Sequence, residues 1–200
     1  LRYGIGSRGD SLGAIPLPPS PPMRSWTGTT NRPSTGSQTW LTGIMPGQQG
    51  ALLSSDLLIF GGLLHSRMEP LTDRKAGDFF TYLEDLKEDN PDKQFYLYSI
   101  IPRLLISDHV LPDRWYQWHL MTWTINMDKK IRGLPYDKEN YEEVKALIPM
   151  DLKWKYITLY RDNDRFNEEL VQFVTEENLT DLVIGQDDAH PYGLPNYSYG

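Results

Sequence analysis

A chain of 200 residues can form one domain of ordinary size with a substantial core, and it contains no Cys, which removes disulfides, thiolate metal sites and a Cys nucleophile. The formal net charge of -7 offers no basic face to neutralise phosphates, so nucleic acid is not an expected partner. No apolar run approaches the roughly 20 residues that a membrane-spanning helix needs.

The first fifty residues differ from the rest. They hold nine of the 16 Gly and seven of the 15 Pro, with four Arg and one acid, Asp10. A stretch so rich in Gly, Pro, Ser and Thr buries too little apolar surface to offset its backbone entropy. Residues 1–50 therefore read as an irregular, Pro/Gly-rich tail, either native or foreign in origin, ahead of a domain over 51–200. The opening residues lack the basic start and apolar run of a signal peptide, and an export signal upstream of Leu1 is left open. The lack of Cys slightly favours a cytoplasmic location.

From Ala51 the pattern becomes regular. The mostly apolar run over 51–60, closed by Gly61 and Gly62, predicts a buried parallel strand entering a tight turn, with Asp56 interrupting it. Thr72 or Asp73 can cap a helix with Phe79, Phe80, Leu83 and Leu86 on its apolar face, ended by Asn90-Pro91. Gln94 to Ile101 reads as a second strand, stopped by Pro102. Strand, helix, strand in that order implies a right-handed parallel crossover.

The middle is helical and aromatic. Pro112-Asp113 starts a helix that runs through Trp115, Trp118, Met121 and Ile125 and ends before Gly133, with its Trp residues, Trp123 included, expected in packing rather than in a sugar-stacking platform. A short helix over 136–147 and a long one over 151–178 follow. Thr180 to Ile184 makes a third strand, giving way to Asp187-Asp188 and a Pro/Gly turn. The fold class is α/β, with parallel strands alternating with helices in part of a larger open sheet or incomplete barrel.

Three stretches carry a resemblance. Ser54-Ser55-Asp56-Leu57-Leu58-Ile59-Phe60-Gly61-Gly62-Leu63-Leu64-His65-Ser66-Arg67 is similar to an S-x-D-x-L-x-Y-G-G-L-x-x-S-R motif, with Phe60 in place of Tyr. Arg161, Asn163 and Asn167 match R-x-N-x-x-x-N, and Gln186-Asp187-Asp188 through Pro191-Tyr192-Gly193 matches Q-D-D-x-x-P-Y-G. In this order and spacing they resemble the front part, over about 50–200, of the uncharacterised bacterial family filed as domain of unknown function number 4127. Members open with a strand ending in L-D-D-R-P, which residues 1–50 do not supply, and they are much longer. The resemblance thus implies an incomplete domain, a fragment of the family fold.

The candidate site follows from these residues. Ligands of α/β folds gather beyond the carboxyl ends of the strands, where Asp187 and Asp188 lie. Consecutive residues on an extended backbone point to opposite faces, so one of the two is a general acid/base or metal ligand while the other caps the turn, or both only shape the turn. Asp56 is costly to bury unpaired, which an ion pair with Arg67 or a polar pocket would explain. Asn163 and Asn167 lie one turn apart on one helical face, able to hold ligand hydroxyls or loop carbonyls, while Arg161 is rotated away from both. His190 is a possible proton shuttle, and Tyr192 a neighbouring ligand contact. No metal-ligand spacing and no H-E-x-x-H, Walker, G-x-G-x-x-G or G-x-S-x-G pattern appears, so no cofactor is named.

These residues point to a carboxylate-centred polar site for a small polar ligand, with catalytic candidates Asp187, Asp188 and Asp56. A hydrolase acting on a hydroxyl-rich, carbohydrate-like ligand is the leading expectation. A non-catalytic binding module and an inactive truncated product are its alternatives, and the oligomeric state is open.

Overall fold

The computed structural model describes residues 36–104, 114–176, 179–187 and 190–199. It begins with helix α1 (Gly36–Ile44) and a 3-10 turn (Met45–Gly47), which put Leu41 and Met45 into the core from within the stretch read as irregular. Strand β1 is Gly50–Ser54, shorter than the predicted 51–60. The run turns into helix α2 (Ser55–Phe60), because the Ser54 hydroxyl accepts from Leu57 N at 3.3 Å and Gly61, at φ 80, ends it in the left-handed region. An apolar run fits a buried strand and a short buried helix equally well, so its composition alone did not reveal the break. The correction moves Asp56 from a strand interior to the first turn of a helix at the strand's carboxyl end.

Helix α3 (Leu63–Ser66) follows, then α4 (Asp73–Glu88), capped as expected by Thr72, whose hydroxyl accepts from Lys75 N at 3.3 Å. Strand β2 is Gln94–Ile101, as predicted. Helix α5 (Gln117–Ile131) is preceded by a 3-10 turn over Arg114–Tyr116, and its predicted start at Pro112-Asp113 lies outside the described residues. Helices α6 (Lys138–Leu147) and α7 (Met150–Glu176) and strand β3 (Asp181–Gln186) complete the order, with a last 3-10 turn over Leu194–Tyr199. Among the described residues no helix is long and apolar enough to cross a membrane.

The three strands form an open, fully parallel sheet in the order β1-β2-β3, with Leu53 beside Leu97 and Leu97 beside Leu182. Alternation along each strand sends Leu53, Phe95 and Leu97 to one face, where Phe79, Phe80, Leu83, Phe166 and Leu170 of α4 and α7 cover them. Removing each such side chain from water contributes about 1.5–3 kcal/mol. Edge-to-face contacts bind the Phe rings, with Phe79 and Phe166 centroids 5.7 Å apart. Among the described residues the opposite face is left uncovered: Leu52 is 74 %, Val183 54 % and Tyr96 39 % exposed.

A second core joins α5 and α6 to the first half of α7 through Leu120, Trp123, Tyr141, Val144, Leu152, Tyr156 and Leu159. Helix α7 thus belongs to both cores, its first half to one and Phe166 and Leu170 to the other. Of the three Trp residues expected in packing, only Trp123 is buried, while Trp115 and Trp118 are exposed. The inward stripe of α5 runs through Gln117, Leu120, Trp123 and Thr124, so a residue beside Gln117 is turned about 100° away.

Candidate functional site at the carboxyl edge of the sheet

The carboxyl ends of all three strands lie at one edge of the sheet, and chain segments far apart in sequence converge there. Asp56 sits just past β1, only 5 % exposed. It lines a small pocket with Ser55, Ser66, Glu69, Ser99 and Asn163, walled by apolar side chains such as Leu159 and Phe166. The interior has room for roughly a single water molecule. Asp56 Oδ2 is buried without a hydrogen-bond partner among the described residues. Burial pushes the Asp56 carboxyl above the usual carboxylate range, opposed by the Ser66 hydroxyl, the backbone N–H groups of Asp56 and Ile100, and the Arg67 guanidinium.

Arg67 does not take Asp56 as its ion-pair partner. It pairs with Asp187, both side chains largely withdrawn from solvent at 11 % and 21 % exposure. Asp187 is held at that point because its N–H continues the β2–β3 ladder to the Ile101 carbonyl at 3.1 Å. Arg67 therefore stands between two acids, salt-bridged to one and acting through its field on the other. Its Nε is also buried without a partner among the described residues. Beside the pair, the Tyr160 hydroxyl donates to the Arg103 carbonyl at 2.7 Å. Burial, with Tyr156 and Asp187 adding to it and Arg67 opposing, pushes the phenol well above its usual range and keeps it neutral.

The two amides on α7 face the sheet as their spacing suggests. Asn163 Nδ2 donates to the Ile100 carbonyl at 3.3 Å, Asn167 Nδ2 donates to Asn163 Oδ1 at 3.2 Å, and Ser99 Oγ donates to Asn167 Oδ1 at 2.7 Å. This chain ties α7 to β2 directly behind the pocket. Arg161 pairs instead with its neighbour Asp162 at 3.2 Å and does not line the pocket.

The segment after β3 is braced from outside. Asp128 of α5, almost fully buried, accepts from Arg132 Nε at 2.6 Å and from Gly193 N at 2.9 Å, while Arg132 Nη2 reaches the Asn196 carbonyl at 2.7 Å. Gln186 Nε2 donates to Asn196 Oδ1 at 3.2 Å. Gly193 has φ 117, and a Cβ there would lie 2.4 Å from Leu104 Cδ1, so the tight turn requires Gly on two counts. His190 and Tyr192 serve this turn: the Tyr192 N–H donates to His190 Nδ1 at 3.2 Å, and Lys129 Nζ stands 5.0 Å over the Tyr192 ring. Neither lines the pocket. Asp188 lies outside the described residues.

The structure thus brings together Asp56, Arg67, Asp187, Asn163 and Asn167, and sets Arg161, His190 and Tyr192 apart from the pocket. Sequence reasoning missed Ser99, Glu69, Tyr160 and Asp128. Ser99 carried a signal, since it occupies an inward position between Leu97 and Ile101 of an apolar strand and is almost fully buried. Glu69 carried none; it is brought to the pocket by the turn after α3 and holds Lys75 at 2.8 Å. No group of three or more His, Cys, Asp or Glu among the described residues could hold a metal ion.

No curated protein and no solved structure matches the chain. The family model described as "Protein of unknown function (DUF4127)" matches residues 18–199, reaching back well before the resemblance read from the motifs. With nearly its whole length covered, and with Arg67 of the first motif salt-bridged to Asp187 of the last, the chain belongs to the DUF4127 family.

Proposed function

We propose that a hydroxyl-rich, carbohydrate-like ligand binds at the mouth of the pocket at the carboxyl edge of the sheet, with one hydroxyl entering its water-sized interior, and that Asp56 carries the acid–base chemistry of a hydrolase there. One observation supports this most: a carboxylate 95 % withdrawn from solvent keeps an unpartnered oxygen beside a pocket where parallel sheets bind their ligands. Leaving such an oxygen unpaired costs roughly 1–3 kcal/mol, a cost that a ligand hydroxyl or water can relieve. Burial raises its proton affinity above that of an ordinary carboxyl group, the direction a general acid needs.

Glu69 at the same pocket is half exposed and held by Lys75, so two carboxylates in unlike settings share one ligand site. That contrast is the arrangement that separates acid and base roles in glycoside hydrolysis. In this reading Asp187 and Arg67 orient the edge, and Asn163 meets ligand hydroxyls with its remaining amide hydrogen.

Nitrophenyl glycosides and a panel of soluble oligosaccharides test the reading. Wild-type protein is expected to release nitrophenol from at least one of them, and Asp56→Asn to lose roughly a hundredfold or more of that rate while still melting cooperatively. Equal rates in the two proteins, or no binding and no turnover across the panel, would sink it.

A further inference from the structure

The hydrogens of the pocket's hydroxyl groups are already committed. Ser55 Oγ donates to the Tyr98 carbonyl at 3.4 Å and Ser99 Oγ to Asn167 Oδ1 at 2.7 Å, and the one hydrogen of Ser66 Oγ is shared between the Leu63 carbonyl, at 2.9 Å, and the Asp56 carboxyl. A hydroxyl has one hydrogen and two lone pairs, so each now has only lone pairs to offer. Asn163 has spent one amide hydrogen on the Ile100 carbonyl, and its second is the last side-chain donor in the lining. Against that single hydrogen stand three hydroxyl oxygens and Asp56 Oδ2, which is buried and unpartnered among the described residues.

The nearby positive charges form their ion pairs with acids other than Asp56, which Arg67 reaches only through its field. Arg67 is salt-bridged to Asp187, and Lys75 holds Glu69 at 2.8 Å while lying 5.0 Å over the Phe60 ring. The inner end of the pocket is therefore an oxygen-lined space, rich in acceptors, of about the size of one water molecule. From this we infer that it is a site for a small monovalent cation, held by Asp56 and the hydroxyls of Ser55, Ser66 and Ser99.

One buried carboxylate among neutral oxygens balances a single positive charge. Divalent calcium asks for several charged oxygens, and no cluster of three or more acids or His is present among the described residues. A bound cation favours the charged form of Asp56 and so opposes the burial that raises its proton affinity. It occupies Oδ2, the carboxylate oxygen without a hydrogen-bond partner among the described residues. The inference goes beyond the hydrolase reading and does not need it.

Melting temperatures of the wild-type protein in sodium, potassium, ammonium and tetramethylammonium chloride, each at about 0.1 M so that screening is equal, test the site. Tetramethylammonium is too large to enter a space of one water. At least one small cation is expected to raise the melting temperature by about 3 °C over tetramethylammonium, as a roughly tenfold excess over the dissociation constant gives. Asp56→Asn should erase that difference, and should it fold poorly, Ser99→Ala should shrink it. Equal melting in all four salts, as when water alone fills the space, overturns the inference. So does a cation effect that survives both substitutions at full size. Since no saccharide enters the experiment, failure here leaves the hydrolase reading standing, and failure of the glycoside panel leaves this one standing.

Discussion

The burial of Asp56 makes the stability of the fold depend on pH. Burial holds its carboxyl above the usual range, so the folded protein keeps that proton to higher pH than the unfolded chain does. The stability linked to this group is present at low pH and is lost as the pH rises through the raised pKa. Asp56→Asn is therefore expected to melt higher than wild type at neutral pH in tetramethylammonium buffer, with the gap closing below about pH 4. A melting deficit of the same size at every pH would contradict this. Asp187 should behave in the opposite way. Its removal strands Arg67 in a largely buried setting, so Asp187→Asn is expected to lower the unfolding free energy by about 3 kcal/mol, measured from the denaturation midpoint in urea. Gly193→Ala meets both an unfavourable φ and Leu104, and should cost about 1–3 kcal/mol in the same assay.

The elements show where sequence patterns are sufficient and where they fail. Helix α4 was legible from its cap and its Phe and Leu spacing, because a long amphipathic segment repeats its signal over four turns. Strand β2 was legible from β-branched and aromatic residues ending at a proline. The first strand was overextended since a six-residue buried helix has too few turns to display a period, and its start depends on one hydroxyl, that of Ser54. The site divided in the same way. Asp56, Arg67, Asn163 and Asp187 stand out as polar groups at apolar boundaries, whereas the approach of Glu69 depends on a turn that composition does not encode. Thr72→Ala offers a check at this scale: the loss of the cap on α4 should cost about 1 kcal/mol of unfolding free energy.

At the scale of the molecule, the sheet departs, among the described residues, from the usual habit of parallel sheets, which are covered on both faces. Here Leu52, Tyr96 and Val183 form an exposed apolar face, flanked by β1 and β3 as free edges among the described residues. The protein is therefore expected to self-associate as its concentration rises. Leu52→Lys should weaken that association in sedimentation velocity while changing the urea midpoint little, since Leu52 has little burial to lose. Unchanged association in this variant would shift attention to the strand edges.

Helix α7 reaches about 40 Å and serves as a wall of both cores. Leu159 from one core and Phe166 from the other bracket Asn163 at the pocket. The α7 wall of the pocket consequently has no hinge of its own and is held from both ends. On that side the pocket is therefore walled by a rod as stiff as the two cores that grip it.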